Sequence, residues 1–328
     1  MRAVICRELG GPDGLTVEEV APPELKPGTV RIGVRAAGVN FGDTLMIGGT
    51  YQTKPPLPFS PGFEIAGDIL EVGEDTEGFR VGDRVMAVLD WGGYAEEAVV
   101  PAGDVFRIPD TMDYGVSAGF PVVYGTSHGA FEWRAKLKPG EWVLVNGAAG
   151  GVGLTAVEIA KAMGATVIAS AGGAEKLEIA RLHGADHLID YRAEDLRSRV
   201  KALTEGRGVD VVYDPVGGDA FEASLRGIAP EGRILIIGFA SGKVPQIPAN
   251  IVLVKNCDVI GFLWGAYRQL APDKLRRSFA TLFHWFEEGR LKPLVSEEFG
   301  LDGAARALTL LKTQKSAGKL VLRMDKTR

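Results

Sequence analysis

A glycine-rich turn, NGAAGGVG, is the stretch whose residue types most clearly predict chemistry, because it suits phosphate binding. A strand-like segment, Trp142 to Val145, precedes it, and a helix of small residues follows as far as about Met163. A pyrophosphate must approach backbone N–H groups at a helix N-terminus, and side chains on the turn would hold it away. The spacing Ala148-x-Gly150-x-x-Gly153 places alanine where the usual dinucleotide fingerprint has its first glycine.

The turn lies inside a predicted βαβ unit, because a second strand, Thr166 to Ser170, follows the helix directly. This context favours a dinucleotide site over the alternative, a glycine-rich loop that binds no ligand. The residues predicted to contact the cofactor in this turn are Ala148, Gly150, Gly151, Val152 and Gly153.

The end of the second strand indicates which dinucleotide binds. Enzymes that use NAD place an acidic residue there against the ribose 2′-hydroxyl, whereas this chain has Gly172, Gly173 and then Lys176. An open loop followed by a cation suits a 2′-phosphate, so we expect Lys176 to bind that of NADPH. The alternative is a solvated lysine paired with a glutamate. Tyr191 and Arg192, after the third strand, either flank the same phosphate or form a surface turn.

The composition is that of a globular protein with room for two domains: 328 residues, 46% of them hydrophobic and 24% charged. A net charge of −5 without a basic run argues against nucleic acids and anionic membranes as partners. No segment approaches the length of a transmembrane helix, and the start of the chain has no long apolar region, so we expect a cytoplasmic protein. Two cysteines, Cys6 and Cys257, and four histidines indicate neither a disulfide framework nor a zinc site.

The pattern of strands and helices predicts two domains. The first third of the chain has short strands separated by glycine and proline, which is typical of a β-barrel or sandwich. From about Val123 helices and strands alternate, and six strands between residues 142 and 262 predict a doubly wound parallel sheet. A helix, Pro272 to Glu288, and a closing strand, Lys319 to Met324, follow. We therefore predict a nucleotide-binding domain inserted into a barrel domain, with a cleft between the two.

Several motifs spread over the whole chain carry a resemblance to a known family. They are AAGVNFGD from Ala36, PGFEIAG from Pro61, VGDRV from Val81, GGYAEE from Gly92, NGAAGGVG, HGADHLIDY, DVVYDPVGG, and QIPAN with the later GFLWGAY. With them the chain resembles the zinc-independent quinone oxidoreductase family of medium-chain dehydrogenases/reductases. Zinc-dependent alcohol dehydrogenases of that superfamily carry a cysteine ligand where this chain has Asn40, and a four-cysteine lobe that this chain lacks.

The resemblance implies an α/β protein with two domains. One is a GroES-like β-barrel catalytic domain, residues 1–122 and 267–328. The other is a Rossmann NADPH-binding domain with a doubly wound, six-stranded parallel sheet, residues 123–266. The resemblance also implies NADPH as the hydride donor, no bound metal, and a homodimer joined through the last Rossmann strand. The apolar segment Cys257 to Phe262 favours this dimer independently, because it would form an exposed sheet edge.

The resemblance further implies roles for individual residues. The predicted catalytic residues are Asn40 and Asp43, which match the segment beside the nicotinamide, and Tyr51, which matches a tyrosine that assists protonation in related enoyl reductases. The alternative for Tyr51 is a loop tyrosine packed under two prolines. Leu45 stands where some quinone reductases carry a tyrosine. The implied cofactor-binding residues are Asn40 on the nicotinamide side of the cleft, Thr126 near the nicotinamide ribose, Gly172, Gly173, Lys176 and Tyr191 at the 2′-phosphate, Gly238 and Phe239 in the loop under the cofactor, and Phe262 and Trp264 by the nicotinamide.

A hydride delivered to a conjugated acceptor leaves an anion, which needs a hydrogen-bond donor or solvent. Our leading hypothesis is an NADPH-dependent reductase of quinones. The first alternative is a reductase of activated C=C bonds in enones or enoyl thioesters, which a donor at Tyr51 would serve. The second is a protein that binds NADPH without turnover. An acidic chain without a basic groove favours a small neutral acceptor over a thioester with a pantetheine arm.

Overall fold

The computed structural model describes residues 1–325, and their packing divides the chain into two units. Among the described residues, the first unit contains Met1–Val122 and 293–325, and the second contains Val123–Lys292. The sequence predicted that the second domain would end at residue 266. The structure places residues 267–292 in the second unit as well, since Ser278 and Trp285 both contact His128 there.

The secondary structure of residues 1–120 consists mainly of strands, together with two short α-helices. They are β1 (Arg2–Cys6), β2 (Leu15–Glu19), β3 (Thr29–Val39), α1 (Phe41–Ile47), β4 (Glu64–Val72), β5 (Arg84–Val88), β6 (Glu97–Pro101), β7 (Val105–Arg107) and α2 (Tyr114–Ala118). The first half of β3 alternates between buried and partly exposed residues, as expected for a strand with one face on a core.

The second unit alternates strands with helices. Its elements are α3 (Pro121–Gly129), β8 (Trp142–Asn146), α4 (Gly151–Ala162), β9 (Thr166–Ala171), α5 (Ala174–Leu182), β10 (His187–Asp190), α6 (Leu196–Leu203), β11 (Val209–Asp214), α7 (Gly218–Gly227), β12 (Ile228–Ile236), α8 (Ala249–Lys255), β13 (Asp258–Gly261), α9 (Tyr267–Leu270) and α10 (Pro272–Glu287). Within residues 123–292 the six strands form one sheet in the order β10-β9-β8-β11-β12-β13, and every neighbouring pair is parallel. The predicted doubly wound parallel sheet is confirmed, and its strand order reverses between β8 and β11.

The returning chain completes the first unit with β14 (Val295–Phe299), α11 (Ala304–Lys312) and β15 (Lys319–Arg323). Among the described residues, seven strands form the main sheet in the order β14-β15-β3-β4-β5-β7, with β6 paired to β3. β15 lies antiparallel to β3, and Leu320 pairs with Val39. This register brings Lys319 beside the residue that follows β3, which is Asn40.

The central parallel strands are buried on both faces, which explains the continuously apolar sequence of a strand such as β8. Val143, Leu144 and Val145 of β8 have no exposed surface, as expected where helices cover both sides of a parallel sheet. α4 packs against β8 and β9, and its small side chains Ala156 and Ala160 are fully buried. This close packing holds the N-terminus of α4 next to the end of β8.

Several elements differ from the sequence prediction. β7 and β14 were not predicted, because one has three residues and the other contains three polar residues among its five. β12 begins at Ile228 although Pro230 and Gly232 predict a turn, since Val209 pairs with Ile228 before the register of the strand pair shifts. Within residues 1–325 no helix combines the length and the apolar character needed to cross a bilayer. The cytoplasmic location stays a prediction.

Candidate functional site

The glycine turn brings the N-terminus of α4 close to the end of β8. Gly147 has a φ of +60°, and its carbonyl accepts a hydrogen bond of 3.0 Å from the Gly150 N–H. A Cβ atom on Gly153 would lie 2.1 Å from that same carbonyl oxygen, so only glycine fits there. Gly151 and Val152 begin the twelve-residue helix α4. The turn therefore presents the first N–H groups of α4 with little side-chain bulk around them, which suits a pyrophosphate.

The left-handed residue of this turn is Gly147, which sequence reasoning did not select. It assigned the first position of the fingerprint to Ala148. Ala148 is fully buried, and its N–H donates to the Ser170 carbonyl at the end of β9, at 3.0 Å. The signal for Gly147 was the Asn-Gly dipeptide at the strand end, which is typical of a tight turn.

Two buried polar side chains join the ends of β8 and β11, where the strand order reverses. Asn146 donates to Asp214 Oδ1 at 3.1 Å and to Ser224 Oγ at 3.0 Å. Asp214 also accepts the N–H groups of Val216 and Gly217. Burial raises the pKa of Asp214, and these hydrogen bonds partly oppose the shift. The pair fixes the switch point of the sheet, which is where doubly wound sheets bind ligands.

The residues after β9 and those after β10 meet in one cluster. A Cβ atom on Gly172 would lie 2.7 Å from Arg192 Nε and 2.8 Å from the Tyr191 hydroxyl. The N–H groups of Gly173 and Arg192 both donate to Asp190 Oδ1, at 3.2 and 3.0 Å. The structure therefore brings together three of the residues predicted at the 2′-phosphate, Gly172, Gly173 and Tyr191, with Arg192 among them.

Lys176, near the start of α5, adds a second cation close to this cluster. Burial lowers the pKa of the Lys176 ammonium group, and the positive charge of Arg192 lowers it further, against the opposing charge of Glu175. The positive charges of Lys176 and Arg192 repel each other in the protein without ligand, and a doubly charged phosphate would stabilise both. Glycine at position 172 lets the Tyr191 and Arg192 side chains approach the end of β9 closely, since a Cβ atom there would clash with both, and the two nearby cations fit a 2′-phosphate.

Thr126 is buried on α3, and the next residue ties this helix to its neighbours. Ser127 Oγ lies 2.8 Å from Thr155 Oγ1, 2.9 Å from the Tyr213 hydroxyl and 3.1 Å from the Val152 carbonyl oxygen. α3 is thus hydrogen-bonded to the first turns of α4 and to β11. These bonds fix Thr126 relative to the glycine turn.

Four residues predicted under the cofactor or by the nicotinamide follow two neighbouring strands. Gly238 and Phe239 come after β12, and Phe262 and Trp264 come after β13. Parallel strands end at the same edge of a sheet, so all four lie at the edge that carries the glycine turn. The Phe239 side chain is exposed, whereas Phe262 and Trp264 are buried.

Trp264 packs tightly within the second unit. A Cβ atom on Gly125 of α3 would lie 2.6 Å from its indole ring, and the ring meets Phe279 edge-on. Among the described residues its Nε1 has no hydrogen-bond partner. The indole is therefore a packing element between α3 and α10, and its predicted place beside the nicotinamide stays a prediction.

Asp43 of the first unit is fully buried and accepts three hydrogen bonds. Its donors are the Asn40 N–H at 2.8 Å, the Gly62 N–H at 3.1 Å and the Tyr94 hydroxyl at 2.8 Å. Burial raises the pKa of Asp43 to about 7, although these bonds favour the charged carboxylate. Asp43 joins the start of α1, the turn at Gly62 and Tyr94, and its predicted catalytic role stays a prediction.

The Asn40 side chain is held by two charged residues that sequence reasoning did not select. Asn40 Oδ1 accepts from Lys319 Nζ at 2.8 Å, and Asn40 Nδ2 donates to Glu64 Oε1 at 2.9 Å. Lys319 Nζ also pairs with Glu64 Oε1 at 2.8 Å. The available signal was a charged residue in each of two otherwise apolar segments, FEIAG and KLVL.

Tyr51 lies half-buried after α1, with its ring centroid 5.1 Å from that of Phe63. Burial raises the pKa of the phenol, and the negative charges of Asp43 and Asp90 raise it further. The hydroxyl therefore stays protonated at neutral pH and can act only as a weak acid. A proton donor and a packing residue both fit this environment.

Comparison with known proteins places this chain among oxidoreductases. The alcohol dehydrogenase GroES-like domain model matches residues 26–110, and the zinc-binding dehydrogenase model matches residues 151–285. Quinone oxidoreductase-like protein 2 homolog of Nematostella vectensis is 43% identical over 324 residues, which cover 98% of this chain and 88% of that protein. The chain belongs to the quinone oxidoreductase family.

Solved structures of this family have the same fold. Quinone oxidoreductase of Escherichia coli, crystallised with NADPH, superposes with a TM-score of 0.92 at 30% identity and covers 98% of this chain and 100% of that one. Quinone oxidoreductase of Pseudomonas syringae pv. Tomato DC3000 gives 0.92 at 33% identity, with 98% and 99% coverage. The predicted family and the combination of a GroES-like unit with a parallel sheet are confirmed. As a member of the quinone oxidoreductase family, the protein is an NAD(P)-dependent oxidoreductase.

We expect Asp43→Asn to destabilise this oxidoreductase by about 1–3 kcal/mol, because the new amide N–H would face the Gly62 N–H without an acceptor. Folding raises the pKa of Asp43 from its ordinary value of 3.8 to about 7. By linkage, the contribution of wild-type Asp43 to the free energy of unfolding is largest when the pH is below 3.8. That contribution is lost as pH rises through about 7. In urea unfolding, the free energy of unfolding of the wild type should exceed that of the variant by less and less as pH rises from about 5 to about 8.

Asp83→Asn is the matched control for this experiment. Asp83 pairs with Arg80 and Arg107, and its pKa is lowered, so its contribution is already complete above about pH 5. The difference in the free energy of unfolding between wild type and Asp83→Asn should therefore not change over the same pH range. If the difference in the free energy of unfolding between wild type and Asp43→Asn is constant or grows with pH, this would contradict the raised pKa of Asp43.

Proposed function

We propose that the protein reduces quinones with NADPH and without a metal. NADPH, when bound, supplies a hydride from its nicotinamide ring. The observation that carries the cofactor choice is the cluster after β9, where Lys176 and Arg192 accompany two glycines in place of an acidic residue. The E. coli relative crystallised with NADPH supports the same choice.

The chain's own residues would bind and orient the cofactor. The N–H groups at the start of α4 would hold the pyrophosphate, with Gly153 permitting the close approach of helix and turn. Thr126, fixed by the hydroxyl contacts of Ser127, would contact the nicotinamide ribose, and Gly238 and Phe239 would lie under the cofactor. The resemblance adds Asn40, Asp43 and Tyr51 beside the nicotinamide as part of the same proposal.

The metal-free mechanism is supported by the side chains available. Within residues 1–325 no group of three or more His, Cys, Asp or Glu side chains has an arrangement that could hold a metal ion. At the position where zinc-dependent relatives carry a cysteine, Asn40 is engaged with Lys319 and Glu64. Catalysis would then rest on positioning and on stabilising the anion that hydride transfer creates.

A quinone is favoured as the acceptor because Tyr51, the candidate donor, is a weak acid. The oxyanion formed from a quinone is delocalised over its ring and can be protonated by water, whereas an enolate is more basic and needs a placed donor. Burial and two carboxylates raise the pKa of Tyr51 and so make its phenol a poorer acid. Reduction of enones or enoyl thioesters is the alternative, and NADPH binding without turnover is the second alternative.

We also propose a homodimer joined along β13. This strand is the last of the parallel sheet, and within residues 123–292 it pairs only with β12. An exposed strand edge is ordinarily covered or paired. Leu253 and Val254 of the preceding helix α8 expose 75% and 80% of their surface, which adds apolar area near this edge.

We expect the wild type to bind NADPH more tightly than NADH, and Lys176→Ala to raise the dissociation constant of NADPH about tenfold. Loss of one partly exposed charge–phosphate contact costs on the order of 1–2 kcal/mol. Fluorescence titration with both cofactors measures this, and NADH affinity should not change. Arg181→Ala is the control, since it removes a cation of the same helix that pairs with Glu178. Equal wild-type affinities for NADPH and NADH would refute the assignment.

We expect Tyr51→Phe to lower kcat with a quinone acceptor by less than about tenfold, because water can protonate the product anion. With an enone or enoyl thioester, a placed donor is worth about 100-fold or more. Steady-state kinetics on protein dialysed against a chelator measure both effects and test the metal-free proposal together. If Tyr51→Phe lowers kcat by about 100-fold or more without changing the affinity for NADPH, this would favour C=C reduction. Loss of wild-type turnover after dialysis against the chelator would exclude the metal-free mechanism.

We expect Ile260→Lys in β13 to give a monomer, because a lysine on a strand edge prevents edge-to-edge pairing. Sedimentation of wild type and variant measures the change. Leu9→Lys is the control, an exposed apolar residue of the first unit that lies outside this edge. A wild type that sediments as a monomer, or a variant that remains a dimer, would contradict the proposed interface.

A further inference from the structure

The amide of Asn40 is part of a closed ring of hydrogen bonds with two buried charged side chains. Lys319 Nζ donates to Asn40 Oδ1 and to Glu64 Oε1, both at 2.8 Å, and Asn40 Nδ2 closes the ring by donating to the same Glu64 oxygen at 2.9 Å. Glu64 has no exposed surface, and Asn40 and Lys319 each expose less than a tenth of theirs. The ring joins the residue after β3, the start of β4 and the start of β15.

The charges in the ring determine which way the amide points. Lys319 can only donate, and its three N–H groups go to Val39 O, Asn40 Oδ1 and Glu64 Oε1. Glu64 can only accept when ionised, and its other oxygen takes the Val122 N–H at 2.8 Å. An inverted Asn40 amide would place N–H against N–H at the lysine and oxygen against oxygen at the glutamate. The ring therefore admits one orientation of the amide.

This orientation limits what Asn40 can offer to a ligand. Its oxygen is committed to Lys319 and one N–H to Glu64, while the second N–H meets only the Gly38 carbonyl, at 3.5 Å. A distance of 3.5 Å is at the outer limit for a hydrogen bond, so this N–H can be given to a better acceptor. The positive charge of Lys319 beside the amide oxygen also polarises the Asn40 amide and strengthens its N–H groups as donors.

On the basis of the proposed function, we propose that Glu64 and Lys319 are positioning residues that hold Asn40 as a hydrogen-bond donor to an oxygen of the nicotinamide half of NADPH. A ribose hydroxyl or the carboxamide carbonyl has the required chemistry. Replacing a buried ion pair by uncharged groups of similar volume is often neutral for stability, so the charges can be removed from a test variant that still folds. The specific effect of the pair is to fix the orientation of one amide.

The double variant Glu64→Gln/Lys319→Met separates orientation from folding. The oxygen of the new glutamine side chain would keep the Val122 N–H, so its NH₂ group would face Asn40. Asn40 would then turn its oxygen toward this NH₂ group with no charge left in the ring, while the Val39 carbonyl loses the hydrogen bond from Lys319 Nζ. We expect a folded protein with an inverted amide that presents its oxygen where wild type presents an N–H.

Binding of two probes to this double variant tests the proposal. We expect the dissociation constant of NADPH to rise about tenfold, the loss of one hydrogen bond. Adenosine 2′,5′-bisphosphate, which lacks the nicotinamide half, should bind as in wild type. Wild-type affinity for NADPH in the folded double variant would overturn the proposal. Failure of wild type to bind either probe would instead overturn the proposed function.

Asn40→Ala keeps the test decisive if the double variant does not fold. It leaves the Lys319–Glu64 pair intact and removes the donor. We expect the same tenfold loss of NADPH affinity, about one hydrogen bond, with unchanged binding of adenosine 2′,5′-bisphosphate. Unchanged NADPH affinity in this variant would also overturn the proposal, because no donor would then be needed at this position.

Discussion

A carboxylate removed from water must find its hydrogen-bond partners inside the protein, and both units of this oxidoreductase are organised around such groups. In the first unit, Asp43 holds the start of α1 and the turn at Gly62, and Glu64 holds Asn40, Lys319 and the Val122 N–H. Partners that lie close in the fold come from distant parts of the sequence. Each carboxylate therefore fastens segments that secondary structure alone would leave independent.

The second unit uses the same device at two places. Asp214 joins the ends of β8 and β11, through Asn146, at the switch point of the sheet. Glu158 on α4 accepts the Tyr124 hydroxyl at 2.6 Å, lies 2.5 Å from His183 Nδ1 and accepts the Lys292 N–H at 3.1 Å. Because Tyr124 and Lys292 lie next to the two points where the chain enters and leaves this unit, one carboxylate fixes both ends of its sequence.

The sequence predicted what local patterns determine. Central strands such as β8 and β9 are continuous apolar runs, and the glycine turn has a distinctive spacing, so both could be located within a residue or two, whereas the start of β12 at Ile228 could not. The ring of Asn40, Glu64 and Lys319 could not be predicted, because Lys319 is 255 residues from Glu64 and only the register of β15 on β3 brings them together. Gly147 was missed for a different reason: the fingerprint was aligned on Ala148, and the Asn146-Gly147 dipeptide was not interpreted as a turn with a positive φ.

The buried contacts also change how residues matched to a family motif should be interpreted. Asn40 and Asp43 were selected for chemistry, yet each makes several hydrogen bonds inside its own unit, and those of Asp43 fasten α1 to the turn at Gly62 and to Tyr94. Loss of activity on substitution would follow from either role. Only measurements that report folding and ligand binding separately can assign one. The orientation of the Asn40 amide is such a case, because a probe that contains the nicotinamide half of NADPH and one that lacks it report on it separately, whereas removing Asp43 leaves three donors without an acceptor.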